Sequence, residues 1–258
     1  MGRAERRADA SGTLFRLGGL IGLVALWWLA AQGVGSNLLL PSPIRVVGFV
    51  LRETTDGELP RQMAATLARV LAAFVISMAA GSVAGYAMAR SARINAVADA
   101  WLVIALNLPL LVVVILAYIW VGLNETAAVL AVVIAKMPSV VVTVREGART
   151  LDARLDDMAT VFRLSRARRL RTIVLPQLAP YIIAAGRSGL SITWKIVLVV
   201  ELLGRPDGVG FALNLAFQNF DVTAILGYGL AFAALMLIVE TAVLQPLERR
   251  ARVWRSDA

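Results

Sequence analysis

The chain has 258 residues, of which 59% are hydrophobic and 17% charged, and its mean hydropathy is +0.75. That balance excludes an ordinary soluble domain. It contains no cysteine and no histidine, which excludes disulfides, thiolate catalysis, Ser-His triads and imidazole metal sites. The net charge of +9 invites a nucleic-acid reading, but the densest cluster, Arg166 to Arg171, has no interleaved aromatics and fits lipid headgroups better. Apolar windows of 18 residues or more recur and are continuous rather than alternating, so the expected class is an all-α polytopic membrane protein, not a barrel.

In chain order, Met1 to Arg16 is polar and basic and is expected to form an irregular cytoplasmic tail. A first span runs from about Leu17 to Val34; it is long for a signal peptide and no clear A-x-A site follows. Asn37 to Gln62 contains Leu-Pro-Ser-Pro and a polar turn, Thr54 to Glu58, and is expected outside. The second span, about Ala64 to Ala89, carries Gly81 and Gly85, a spacing that lets helices approach closely. The third, about Ala96 to Trp120, contains Asn107 and Pro109 at mid-depth, where they break the helical ladder. The fourth, Thr126 to Val144, carries Lys136 and Pro138. The fifth is about Ala179 to Leu203, the loop Gly204 to Asp221 follows, and the sixth span is about Val222 to Leu244. Residues 17–244 therefore read as one transmembrane domain of about six helices, and 245–258 as a basic cytoplasmic tail.

Between the fourth and fifth spans lies a charged stretch, residues 145–177, with eight arginines (145, 149, 154, 163, 166, 168, 169 and 171). Within it Leu155, Met158, Ala159 and Phe162 share one helical face. Asp152 is placed to cap that helix, and Asp156 and Asp157 suit its positive end. A new segment is expected to start at Ser165 and end at Pro176. A short amphipathic helix outside the membrane has two readings: it seats its apolar face in a partner's groove, or it lies on headgroups. Of 26 lysines and arginines, the expected outer loops hold only Arg45, Arg52, Arg61 and Arg205, so both termini and the charged stretch are expected inside.

Charged and polar residues within spans mark a path or a partner. Arg187, Ser191 and Lys195, at i, i+4, i+8, form one polar stripe on the fifth span. The two lysines of the chain, Lys136 and Lys195, both fall within spans. They are candidates for a cationic lining that admits an anion, while Asn107 with Pro109 suits either a pore-lining bend or an interhelical hydrogen bond. The alternative is that Arg187 pairs with an acid such as Glu240 while the lysines snorkel or sit between two copies. Arg69 and Glu201, near the outer ends of their spans, are expected in packing or gating contacts. The spans lack a central Asp or Glu and an evident repeat, against a stand-alone secondary transporter. No residue set for hydrolase chemistry can be assembled.

The segment Asp157 to Pro176 resembles the cytoplasmic signature of binding-protein-dependent ABC importer permeases: acidic-Ala-Ala, three residues, Gly, nine residues, Ile, one residue, Leu-Pro. Asp157-Met158-Ala159, Ile173 and Leu175-Pro176 fall at its positions. Other pieces are similar to the nitrate/sulfonate/taurine subgroup: Leu40-Pro41-Ser42-Pro43, Thr66-Leu67-Ala68-Arg69, Asn107-Leu108-Pro109, Trp120-Val121-Gly122-Leu123, Glu201-Leu202-Leu203 and Gly208-Val209-Gly210-Phe211. The resemblance covers about Leu39 to Trp254. It implies a type I importer permease core in a bacterial inner membrane. It also implies a second copy of the chain, two cytoplasmic ATPases that hold the ATP and Mg, and a periplasmic or lipid-anchored binding protein that selects a small anion. No cofactor on this chain and no catalysis by it are expected, since it lacks a G-x-x-x-x-G-K-[ST] loop. The coupling residues implied are Leu155, Asp157, Met158, Ala159, Phe162 and Arg163. Two positions depart from the signature: Met158 replaces an alanine and Arg163 replaces its glycine. A left-handed turn at Arg163 would cost energy that glycine avoids.

Overall fold

The computed structural model describes residues 3–36 and 38–244; the expected C-terminal tail, 245–258, lies outside them. Every regular element among the described residues is helical. Helix α1 (Arg3–Val34) begins well before the expected tail boundary, so the basic segment continues the first helix rather than forming an irregular tail. Its apolar part is Gly18–Val34. The Leu-Pro-Ser-Pro segment opens α2 (Pro43–Thr55), with Ser42 extended and Pro43 in the first turn, where a missing N–H costs nothing. Then follow α3 (Glu58–Arg90), α4 (Ala92–Asn107), α5 (Leu110–Val121) and α6 (Glu125–Arg149). Beyond them lie α7 (Ala153–Val161), α8 (Arg166–Arg169), a π-helical turn (Leu170–Val174), α9 (Leu175–Gly204), α10 (Val209–Gln218), α11 (Val222–Val239) and a last π turn (Glu240–Leu244).

Among the described residues four helices are long and apolar enough to cross a bilayer, Glu58–Arg90, Glu125–Arg149, Arg166–Gly204 and Val222–Ala242, or five if the bent pair α4–α5 is one span, against the about six expected. The expected third span is not one helix. Its halves, α4 and α5, are bent by 102°, because Pro109 removes a ladder donor and biases Leu108 to extended backbone. The Asn107 amide donates to Val103 O at 2.8 Å, so this side chain closes its own last turn rather than bridging helices. Pro176 does not end a segment either. The Leu175 N–H reaches back to Leu170 O, an i→i−5 bond, and this wider turn admits the proline near the start of α9. The arginines at 166–171 therefore extend the fifth span. Likewise Arg145 and Arg149 belong to the end of α6, where Arg145 pairs with Asp99 of α4.

The chain divides into two compact units. The first, residues 1–60 and 212–232, packs Phe49 of α2 edge-on against Tyr228 of α11, centroids 5.7 Å apart, and Tyr228 donates to Glu53 at 2.6 Å. The second, described over residues 61–211 and 233–244, is organised around α6. A core cluster joins Val70 and Ala73 of α3, Val114 and Ala117 of α5, Ala128, Ala131 and Val132 of α6, and Val197 and Val200 of α9. The Gly81/Gly85 spacing does what it suggests. A Cβ at Gly81 would lie 2.7 Å from Val140 Cβ, and one at Gly85 2.6 Å from Val141 O, so α3 and α6 touch along bare backbone.

Candidate functional site

At the end of the second unit where α6 begins and α9 finishes, five charged side chains meet. Glu201 of α9 is fully buried. Its carboxylate accepts from Arg69 Nη1 at 2.7 Å, Thr66 Oγ1 at 2.8 Å and the Gly210 N–H at 2.9 Å. Arg69 of α3 spends its whole guanidinium here: Nε and Nη2 on the two Glu125 oxygens at 2.7 and 3.1 Å, Nη1 also on Asp207 O at 3.0 Å, and Nη2 on the Asp207 carboxylate. Arg205 adds a 2.8 Å bond to Glu125. Gly208, at φ +102°, lies against the carboxylate, where a Cβ would fall 2.3 Å from Glu201 Cδ. The Gly208 and Val209 N–H groups donate to Gln62 and to Thr66. A buried charge needs such pairing. Four of the scattered sequence pieces thus converge: Thr66–Arg69, Trp120–Leu123 (its Leu123 O accepts from Arg205 at 3.4 Å), Glu201–Leu203 and Gly208–Phe211. Sequence reasoning placed Arg69 and Glu201 in packing or gating contacts without bringing them together.

The opposite end of α6 and α9 carries α7. Asp152 caps it, accepting from the Arg154 N–H at 2.8 Å. The four-residue apolar face divides: Ala159 turns inward and is buried, Leu155 is half-buried, and Met158 and Phe162 are exposed. Periodicity missed Val161, which is 78% exposed and widens the outward apolar surface. Asp157 is exposed. Arg163 takes φ +49°, with its N–H on Thr160 O at 3.1 Å and the Leu164 N–H on Ala159 O at 2.9 Å. This is a Schellman ending with arginine in the left-handed position that glycine fills at least cost.

The candidate pathway residues separate into three places. Arg187 and Lys195 are exposed and Ser191 half-buried on one face of α9, while Gly186, Gly189, Thr193 and Val197 on the other face are buried. Lys195 Nζ lies 5.5 Å from the Trp194 ring centroid. Lys136 neither snorkels nor faces outward. It is buried, packs on Gly189, and donates to Ser139 Oγ at 2.8 Å. Asn107 is exposed at the α4–α5 bend. Among the described residues no cluster of acids could hold a metal.

The described residues thus combine several apolar helices of membrane-spanning length with a capped helix whose apolar side chains face outward. The chain belongs to the family described as binding-protein-dependent transport system inner membrane component, which matches residues 77–245. It is a multi-pass permease subunit of a binding-protein-dependent ABC importer. It is 27% identical over 247 residues to the taurine transport system permease protein of Escherichia coli, covering 93% of this chain and 90% of that protein. It is 26% identical over 236 residues to a putative aliphatic sulfonates transport permease of Bacillus subtilis, covering 91% and 85%. It is also 24% identical over 254 residues to the bicarbonate transport system permease of Synechococcus elongatus, covering 94% and 91%. The fold is that of a chain of the inward-facing methionine ABC transporter (TM-score 0.58, 15% identity, 72% of this chain and 94% of that one). It is also that of a chain of an amino acid ABC transporter solved with histidines (TM-score 0.60, 22% identity, 78% and 98%).

Proposed function

We propose that two copies of this chain form the path for a small solute with an anionic group, a sulfonate (free or on a taurine-like zwitterion), nitrate or bicarbonate. Two cytoplasmic ATPases drive it, and an external binding protein supplies the solute. The observation that carries this reading is the stripe Arg187–Ser191–Lys195, which faces away from the protein core at the middle of α9. A charge facing lipid at that depth costs about 2.5–3.5 kcal/mol on insertion scales. The stripe is therefore covered by protein or water, and the gap between two copies of the chain supplies both. Two cations there lower the barrier for an anion, which agrees with the solutes named for the similar proteins. On this reading Asn107 lines the bend, and Lys136 supports α9 from inside instead of touching solute. Residues Leu155–Arg163 engage the ATPase through Met158, Val161 and Phe162. The sparse cations of the expected outer loops support termini and α7 in the cytoplasm.

The test is to purify the tagged chain in mild detergent, identify stoichiometric companions, and measure uptake of taurine, ethanesulfonate, nitrate and bicarbonate in reconstituted vesicles. An ATPase in equal copy number is expected, with uptake of one of these solutes that falls at least about ten-fold, about 1.4 kcal/mol of barrier, in Arg187→Gln/Lys195→Gln. A chain that purifies without an ATPase, or a variant with unchanged uptake, overturns the reading.

A further inference from the structure

Two side chains on one face of α9, Gln177 and Tyr181, hold the segment that leads into α7. Gln177 Oε1 accepts the backbone N–H of Asp152, the residue that caps α7, at 3.0 Å. The same amide donates from Nε2 to Ile173 O at 3.1 Å, a carbonyl inside the π turn. One turn along, Tyr181 Oη bonds Thr150 Oγ1 at 2.9 Å. Its ring covers Gly147, where a Cβ would fall 2.3 Å from the ring, so the end of α6 is pressed flat on it. Ala148, Val174 and Leu178 form a small buried cluster beneath these bonds, with Leu151 packed against it. The start of α7 is thus fastened to α9 at the point where its helical ladder has already been loosened by a π turn.

We infer that Gln177, supported by Tyr181, is a positioning residue for coupling: it carries displacement of α7 into α9 at the π turn. This rests on the proposed role of α7 at an ATPase. The amide suits the task because it joins two backbone groups, one on each side of the link, through an acceptor and a donor. When α7 is pushed, the Asp152 N–H pulls Gln177, and Gln177 pulls the Ile173 carbonyl. The turn can tighten or widen by one residue without breaking the packed helix beyond it. Further along the same helix stand Arg187, Ser191 and Lys195, whose tilt then changes. The same linkage explains why Pro176 is tolerated beside the turn, since a ladder already in i→i−5 register loses less to a missing donor.

The chain has no cysteine, so Ser188→Cys gives a single reporter on the exposed side of α9, three residues from Ser191. The complex with its co-purified ATPase, in lipid nanodiscs, is treated with a hydrophilic maleimide with and without MgATP and orthovanadate. With Gln177 intact, nucleotide trapping is expected to change the labelling rate by about five-fold or more, the lower end of ordinary site-to-site coupling. Gln177→Met/Tyr181→Phe, which keeps shape and removes the polar links, is expected to label at one rate in both states while ATPase content and basal hydrolysis persist. Gln177→Glu keeps the acceptor for the Asp152 N–H and is expected to retain at least part of the response. A nucleotide response in Gln177→Met/Tyr181→Phe equal to that of the intact complex overturns the link. Loss of the ATPase from that variant alone overturns it as well, because the pair would then serve assembly. An intact complex that shows no nucleotide response, or no ATPase at all, refutes the underlying coupling reading instead.

Discussion

Replacing Glu201 by Gln changes neither size nor shape, and removes one acceptor and one charge from the buried network. In the structure one carboxylate oxygen takes Arg69 Nη1 at 2.7 Å, while the other takes both Thr66 Oγ1 and the Gly210 N–H. An amide oxygen in the second place keeps Thr66 and Gly210, and its NH2 then meets Arg69 Nη1, donor against donor. The opposite orientation sets that NH2 against the Gly210 N–H, and the Thr66 hydroxyl cannot help freely because it already accepts from the Val209 N–H. One charge-assisted bond is therefore lost whichever way the amide turns, about 1.5–3 kcal/mol. Arg69 keeps Glu125 and Asp207, so the loss does not strand it. At about 2–4 °C per kcal/mol for a chain of this size, Glu201→Gln should lower the unfolding midpoint by roughly 5–10 °C. Glu201→Ala removes all three acceptances and breaks a buried pair, about 3–5 kcal/mol, and should fall further. The assay is tryptophan fluorescence of the detergent-solubilised protein at one fixed heating rate, since such unfolding is commonly irreversible. A Glu201→Gln midpoint within about 1 °C of the parent, well under the shift expected from one lost bond, would refute the network as a source of stability.

Arg163→Gly places in the left-handed position the residue that adopts it freely. It should raise the same midpoint by about 2–4 °C, the equivalent of about 1 kcal/mol; a fall would mean that the arginine side chain contributes more than its backbone costs. Met158→Asp or Phe162→Asp should leave the chain inserted and abolish stimulated ATP hydrolysis, and full assembly with undiminished stimulated hydrolysis would disprove seating of α7 in a groove. Gly210→Ala puts a Cβ 2.3 Å from Leu198 O, a backbone atom that cannot swing away. An overpacking cost of about 1–3 kcal/mol or more is expected, read as a lower midpoint and reduced yield of monodisperse protein.

Much of the fold could be read from the residues because continuous apolar runs have one simple solution in a bilayer. The helical class, a close helix approach at Gly81 and Gly85 and the cap at Asp152 all rest on local spacing. What local spacing does not carry is direction. Asn107 and Pro109 announce a break, but a 102° bend depends on what the two halves pack against. Pro176 looks like a stop because a proline usually is one, and only the i→i−5 register before it removes the conflict. Periodicity grouped Ala159 with Met158 and Phe162, yet Ala159 is buried while the other two are exposed. The same limit hid the polar network: Arg69 and Glu201 are 132 residues apart, and each taken singly is only a costly charge near a span end.

The two ends of α6 and α9 are built by opposite rules. At one end every donor of Arg69 is used and the Gly208–Gly210 backbone is pressed onto Glu201, so little there can move without losing several charged bonds together. At the other, α9 starts beside a π turn and is joined by two neutral side chains to the cap of α7 and to the end of α6, contacts that exchange at small cost. Between them runs α6, 25 residues long, a separation of about 37 Å along the helix. Perturbations so far apart with no shared partner should add. Glu201→Gln combined with Gln177→Met/Tyr181→Phe should therefore show the sum of the two midpoint shifts and the labelling pattern of the second. If instead the double variant recovered a nucleotide response, the anchored end would itself be part of the moving path, and α9 would act as a lever pivoting on Glu201 rather than as a rod fixed there.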